Sequence, residues 1–220
     1  ARYYLRYGAE DVLSKRSAPV TWAGAARVDR LIMISTPNFG AMKVMRELVE
    51  GRHYPVVKFE PAMVNTFVSA YKMLPRRNHA VWLDEEGHSI EVDILSTELW
   101  EQNDWGAFAD GQDKYLAWIF PGEASSQGRR QRMVEFMSAA FKRADQFFEA
   151  MDRRPETPCP TELTLFAADV QPTMARAILL ERAGRKALRF ESTKTVKLKA
   201  PGDRSVTRAS MVADERLLGE

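Results

Sequence analysis

The sequence predicts an α/β chain: a mostly parallel sheet with flanking helices and an inserted cap. Two observations carry this. Two short apolar runs, residues 28–35 and 162–168, each lead through a proline-containing turn into a helix-compatible stretch, the alternation that builds parallel sheets. Well over 100 residues separate the runs where a bare crossover needs about a dozen, so further structure is inserted between them.

The elements follow in order. Residues 1–7 read as a helix with Gly8 at its stop, and residues 206–218 have helical spacing. The first lacks an initiator methionine and a capping residue, and the second ends at Gly219-Glu220, so both are expected to continue into a longer polypeptide. Residues 28–35 form a buried strand ending in the turn Thr36-Pro37-Asn38-Phe39-Gly40. Residues 41–49 then place Met42, Met45 and Val49 on one helical stripe with Leu48 beside it, and Gly51 stops the helix. Residues 63–74 read as a helix closed by Pro75, and residues 80–83 and 89–93 as a hairpin around Asp84-Glu85-Glu86-Gly87. The longest helical pattern, 128–154, carries Met133, Met137, Ala140, Phe141, Ala144, Phe148 and Met151 on one face. Pro155, Pro158 and Pro160 return the chain to the strand at 162–168, followed by Asp169, Pro172-Thr173 and a helix-permissive run at 174–180. The expected organisation is a core over 1–58, a cap over 59–160 and a core over 161–220.

Composition narrows the partners. With 45% apolar and 28% charged residues, the 220-residue chain buries a core and is not disordered. Its 32 basic residues against 30 acidic ones give +2, with no basic run that would suit nucleic acid. Cys159 stands alone, so neither an internal disulfide nor a Cys-x-x-Cys zinc pair is expected, and a cytoplasmic location is permitted. No apolar stretch approaches the roughly 20 residues that span a bilayer, so no transmembrane segment is expected and the chain reads as soluble. There is no Gly-x-Gly-x-x-Gly or P-loop, and His53, His79 and His88 lack the spacing of a His-Glu-x-x-His zinc pair. No cofactor or metal is expected, and nothing specifies an oligomeric state.

Three segments carry more. Ala-Arg-Tyr-Tyr-Leu-Arg-Tyr-Gly at 1–8, Leu-Ile-Met-Ile-Ser-Thr-Pro-Asn-Phe-Gly at 31–40 and Pro-Gly-Asp-Arg-Ser-Val at 201–206 together resemble the lecithin:cholesterol acyltransferase-like lipases, a branch of the α/β-hydrolase fold. Residues 71–75 and 100–106 are similar, more loosely, to cap segments of that family. The resemblance implies a partial α/β-hydrolase fold in which the helix at 1–7 directly follows the nucleophile elbow, placing the catalytic serine just before Ala1. It further implies that the Ser-Thr-Pro loop lies beneath the substrate cleft, and that Phe39, Trp100 and Trp105 contact the acyl substrate. Asp203 becomes the triad acid, with Arg204 and Ser205 standing where the family has glycine and threonine. Asp169, directly after the second strand, is the rival acid.

Read from the residues alone, an aspartate after Pro-Gly is a turn former or helix cap, and aromatic or methionine stripes are core. The triad order on this fold is serine, acid, histidine, yet no histidine follows Asp203, and none of Ser14, Ser17, Ser35, Ser69, Ser89 or Ser96 has a Gly-x-Ser-x-Gly setting. The expected function is therefore part of a serine hydrolase or acyltransferase acting on ester bonds of lipid or other acyl substrates, with serine and histidine outside this chain. Alone, the chain is expected to be inactive. The alternative is a non-catalytic binding or scaffold protein with a degenerate hydrolase fold, against which stands the exposed apolar edge that a half sheet would carry.

Overall fold

The structure is a computed structural model. It describes residues 1–15, 17–76, 82–167, 174, 176–182, 184–190, 195–197 and 205–207. The chain divides into two compact units, Ala1–Asn38 with Lys142–Ala168, and Phe39–Phe141 with Asp169–Glu220. Mixed helices and small sheets, one of them a parallel pair, give a loose α/β class.

The first unit begins with α1, Arg2–Tyr7, which closes on Gly8 in a left-handed conformation, its amide bonded to the Tyr4 carbonyl. Tyr7, Val12, Leu13 and Ala150 form its buried cluster, with Tyr3 and Phe147 packed against them. A long helix, Ser126–Asp152, contributes its C-terminal turns to this unit. Two side chains of α1 satisfy carbonyls that this helix end leaves without intrahelical partners: Tyr7 Oη donates to Ala150 O at 2.7 Å, and the Arg6 guanidinium donates to Arg153 O. Arg6 is buried, and its guanidinium lies 5.7 Å from the ring of Trp22.

The unit's sheet pairs β1, Arg30–Ile34, with a later strand, Glu162–Phe166, in parallel and in register from Arg30↔Glu162 to Ile34↔Phe166. An Arg30–Glu162 ion pair of 2.7 Å crosses one end. Both strands were expected to be buried, and they are not. Ile32, Ile34, Leu163, Leu165 and Phe166 are exposed, Ile34 by 71%. Register places Leu163 and Leu165 on one face and Ile32, Ile34 and Phe166 on the other, so both faces of this two-stranded sheet are apolar and open.

The second unit holds most of the remaining elements. α2, Met42–Glu50, buries Met42, Met45 and Leu48 and ends at Gly51. β2, Arg52–His53, and β3, Lys58–Phe59, form an antiparallel hairpin that the sequence did not announce. The single helix expected over 63–74 is instead two short ones, α3 (Pro61–Val64) and α4 (Val68–Tyr71). Between them stands Asn65, whose side chain donates to Leu48 O and Pro61 O and whose carbonyl accepts from Tyr71 Oη, bonds that compete with a continuing helical ladder. β4, Trp82–Leu83, meets Ser89 across the expected turn, where Gly87 has φ 88°. α5, Thr97–Gln102, and α6, Asp113–Ile119, precede α7, Ser126–Asp152, whose seven-residue apolar stripe from Met133 to Met151 is buried as its spacing requires.

After β5, Glu162–Phe166, residues 177–180 of the run expected as a helix at 174–180 are strand. β6, Ala177–Arg182, pairs antiparallel with β7, Arg185–Phe190, and parallel with β4. Gly184, φ 76°, makes the turn that helical composition concealed. β8 (Thr195–Lys197) and β9 (Ser205–Thr207) form a last antiparallel pair, so residues 205–207 are strand where a helix was expected from Val206 onward. Among the described residues no helix is long and apolar enough to cross a membrane.

Candidate functional site

In the first unit, both parallel strands run toward the same end. There the Ser35 amide donates to Phe166 O at 2.8 Å, and Asn38 Oδ1 accepts from Arg2 Nη1 at 3.2 Å. The loop after β1 is thereby tied to the first turn of α1. Ser35 itself has φ 48°, a left-handed conformation that is uncommon for a residue with a Cβ. This strain at a strand end is invisible in the sequence. The unit contains no histidine, so its sequence supplies no imidazole to take the Ser35 proton. Open α/β sheets bind ligands at the carboxyl ends of their strands, which is where this loop stands.

The second unit contains the aromatics. Trp100 is fully buried, its Nε1 donating to Ile94 O at 2.8 Å, with its ring 5.9 Å from Trp105 and 5.7 Å from Phe141. Trp105 is buried as well and donates to Lys186 O at 2.6 Å. These contacts make both indoles part of the packed interior, with each N–H already satisfied. Phe39 is half-buried, and the Arg76 guanidinium lies 5.4 Å from its ring centre. Gly40 follows with φ 91°, and a Cβ there would stand 2.1 Å from Leu74 O, so only glycine lets the loop pass so close. Asp203 and Asp169 lie outside the described residues, as does His79.

Beside Trp100 and Trp105, Tyr71 is fully buried and donates to Asn65 O and Oδ1, at 2.6 and 3.2 Å. Burial drives its pKa far above the ordinary tyrosine value. The folded state thus holds this proton more tightly than the unfolded chain does. Its contribution is complete below the unfolded pKa, about 10, and is lost as pH rises from there toward the folded value. Tyr71→Phe is expected to cost about 1–3 kcal/mol at neutral pH, by urea unfolding, because the Asn65 carbonyl loses its donor. The same substitution should flatten the fall in stability above pH 10 relative to the unsubstituted chain.

Two further groups were missed at the level of sequence. Asp84 accepts from the His88 amide at 2.7 Å and meets His88 Nδ1 at 3.1 Å, closing the hairpin turn. Against the desolvation of its site, these bonds hold the Asp84 carboxyl below the usual range. Their spacing of four residues was the available signal. The other group is a groove of about 470 Å³, with Ile90, Val92, Leu99 and Leu179 as its apolar wall and Glu91, Glu98 and Lys186 among its polar residues. Its own amide and the Ser96 hydroxyl keep the Glu98 carboxyl low. Among the described residues no group of three His, Cys, Asp or Glu is placed to hold a metal ion. No protein-family model, curated protein or solved structure matches the chain.

Proposed function

We propose that the chain is part of a serine hydrolase or acyltransferase that acts on ester bonds of lipid or other acyl substrates, built on an α/β-hydrolase core with a cap. One observation carries the reading: Arg2 Nη1 on Asn38 Oδ1 ties the start of α1 to the loop at the carboxyl end of β1. A nucleophile elbow feeding α1 would then deliver its serine beside the Ser-Thr-Pro loop, where a substrate cleft is needed. The open apolar faces of the β1–β5 sheet support it too, because parallel sheets are covered on both faces when their layers are complete. In this mechanism the Asp203 carboxylate accepts a hydrogen bond from Nδ1–H of the catalytic imidazole, fixes its tautomer and stabilises the imidazolium formed as that imidazole takes the serine proton and serine attacks the ester. Water then releases the acyl group in a hydrolase, and an alcohol takes it in a transferase.

Serine and histidine belong, in this account, to polypeptide outside residues 1–220. The 220-residue chain alone is expected to take no label from a serine-directed fluorophosphonate. Covalent labelling that disappears in Ser35→Ala would overturn the reading and move the nucleophile to the strained serine at the end of β1.

A further inference from the structure

We infer that the groove bounded by residues 90–93, α5 and the β6–β7 hairpin binds a small organic cation with an apolar body, an alkyl or aryl amine. The groove lies wholly within the second unit and holds about 470 Å³, the volume of a small-molecule site. Ile90, Val92, Leu99 and Leu179 line it and are only half-buried, so each keeps aliphatic surface for a ligand to cover. Its walls are fixed by hydrogen bonds. The Ile90 amide donates to Trp82 O at 3.0 Å, and Ser96 Oγ caps α5 by accepting from the Leu99 amide at 3.3 Å. Lys186 is held through both groups of its backbone: its amide donates to Asn103 Oδ1, and its carbonyl accepts from Trp105 Nε1 at 2.6 Å. A ligand therefore meets a preformed site and orders little of the chain on binding.

Charge selects the ligand. Three carboxylates, Glu91, Asp93 and Glu98, share the groove with one ammonium, Lys186. Carboxylates nearby in the chain are neutralised: Glu101 pairs with Arg130 at 2.8 Å, and Asp104 pairs with Arg130 at 3.6 Å and with Arg185. In the groove they are not. Among the described residues, Glu91 and Glu98 pair with no cation and Lys186 with no carboxylate. The bonds that Glu98 does accept, from Ser96 Oγ and its own amide, come from neutral donors and leave its charge uncompensated. The groove thus sets surplus negative charge beside an aliphatic wall. A cationic head is drawn to the carboxylates while its hydrocarbon covers the wall, whereas an anion of the same shape meets three like charges for one opposite. A space of this volume takes one small molecule rather than the long apolar face of a docked helix. No residue of the groove enters the proposed hydrolase mechanism, so the inference goes beyond that reading and stands without it.

The test is an NMR titration of the full 220-residue chain, isotope-labelled, with three probes of one shape: phenylbutylammonium, phenylbutanol and phenylbutyrate. The ammonium is expected to bind about fivefold tighter than the alcohol, to weaken with added salt, and to shift the amides of residues 90–99, 179 and 186. Glu91→Gln combined with Glu98→Gln should abolish the preference over the alcohol, and Lys186→Gln should strengthen ammonium binding about twofold. All three side chains are exposed, so the fold is kept, which circular dichroism checks. A gain of affinity in Lys186→Gln cannot arise from misfolding. Absence of ammonium binding would overturn the proposal, as would equal binding of the alcohol, tighter binding of the butyrate, or shifts confined to other residues. An acetyl-Leu-Lys-Leu-Lys-amide peptide that shifts these amides where the small ammonium does not would give the groove to a protein partner. A dimer in sedimentation velocity that Glu91→Lys dissolves would give it to a second copy of the chain. Either result overturns the small-cation reading.

Discussion

On the proposed reading, Asp203→Asn in a polypeptide that also carries the serine and histidine is expected to lower kcat by about three to four orders of magnitude with little change in KM. Asparagine preserves shape but presents a neutral amide to the imidazole, so the tautomer is wrong and the imidazolium loses its counter-charge as serine attacks. A loss of four powers of ten is about 5.5 kcal/mol of transition-state stabilisation, far more than a surface turn aspartate contributes to stability. Asp169→Asn is the companion measurement. If the rival after β5 is the acid, it takes the large loss and Asp203→Asn stays near full activity. The two variants therefore decide between the carboxylates without any knowledge of the natural substrate, provided one reporter ester is turned over.

The second large effect concerns Trp100. Its complete burial, its hydrogen bond to Ile94 O and its contacts with Trp105 and Phe141 predict that Trp100→Ala costs about 3–5 kcal/mol, measured by urea unfolding with the midpoint of the second unit as readout. That is a large part of the stability of an ordinary domain. Trp100→Phe keeps most of the packing and removes only the donor, so about 1–3 kcal/mol is expected. The resemblance to the lipases assigns Trp100 a substrate contact, and the same variants separate the two roles. A packing residue loses stability in both. A residue whose only work is ligand contact would leave the unfolding midpoint in place and raise KM for long acyl chains.

What could be read beforehand was whatever local pattern decides. The stripe on α7 was legible because seven apolar residues at three- and four-residue steps leave one buried face. β1 and β5 were legible as strands because their residues are β-branched or apolar and bounded by turn formers, and they pair with each other in parallel. Asn65 was not legible as a helix breaker, since its effect depends on Leu48 O and Tyr71 Oη arriving from elsewhere. Residues 177–190 carry alanine, leucine, arginine and glutamate, which suit a helix, and only the antiparallel pairing of β6 with β7 overrides that preference. The hairpin at 52–59 contributes two residues per strand, too few for any alternation to register.

For the candidate site the division is similar. Sequence pointed to the loop after β1, and the structure adds what spacing cannot carry: the left-handed Ser35 and the Arg2–Asn38 bond. Trp100 and Trp105 look alike as core or as cleft residues in one dimension, and only their satisfied indole N–H groups and burial place them in the interior. Asp203 and Asp169 fall outside the described residues, so their assignment rests on motif and order.

The central claim is that residues 1–220 supply the acid of a triad whose serine precedes them. The direct measurement is peptide mapping by mass spectrometry after a fluorophosphonate has reacted with the longer polypeptide. The account predicts one modified serine, in a Gly-x-Ser-x-Gly turn immediately before Ala1, and none between residues 1 and 220. A label on Ser35, or a polypeptide that hydrolyses esters with no modified serine upstream of Ala1, would contradict it.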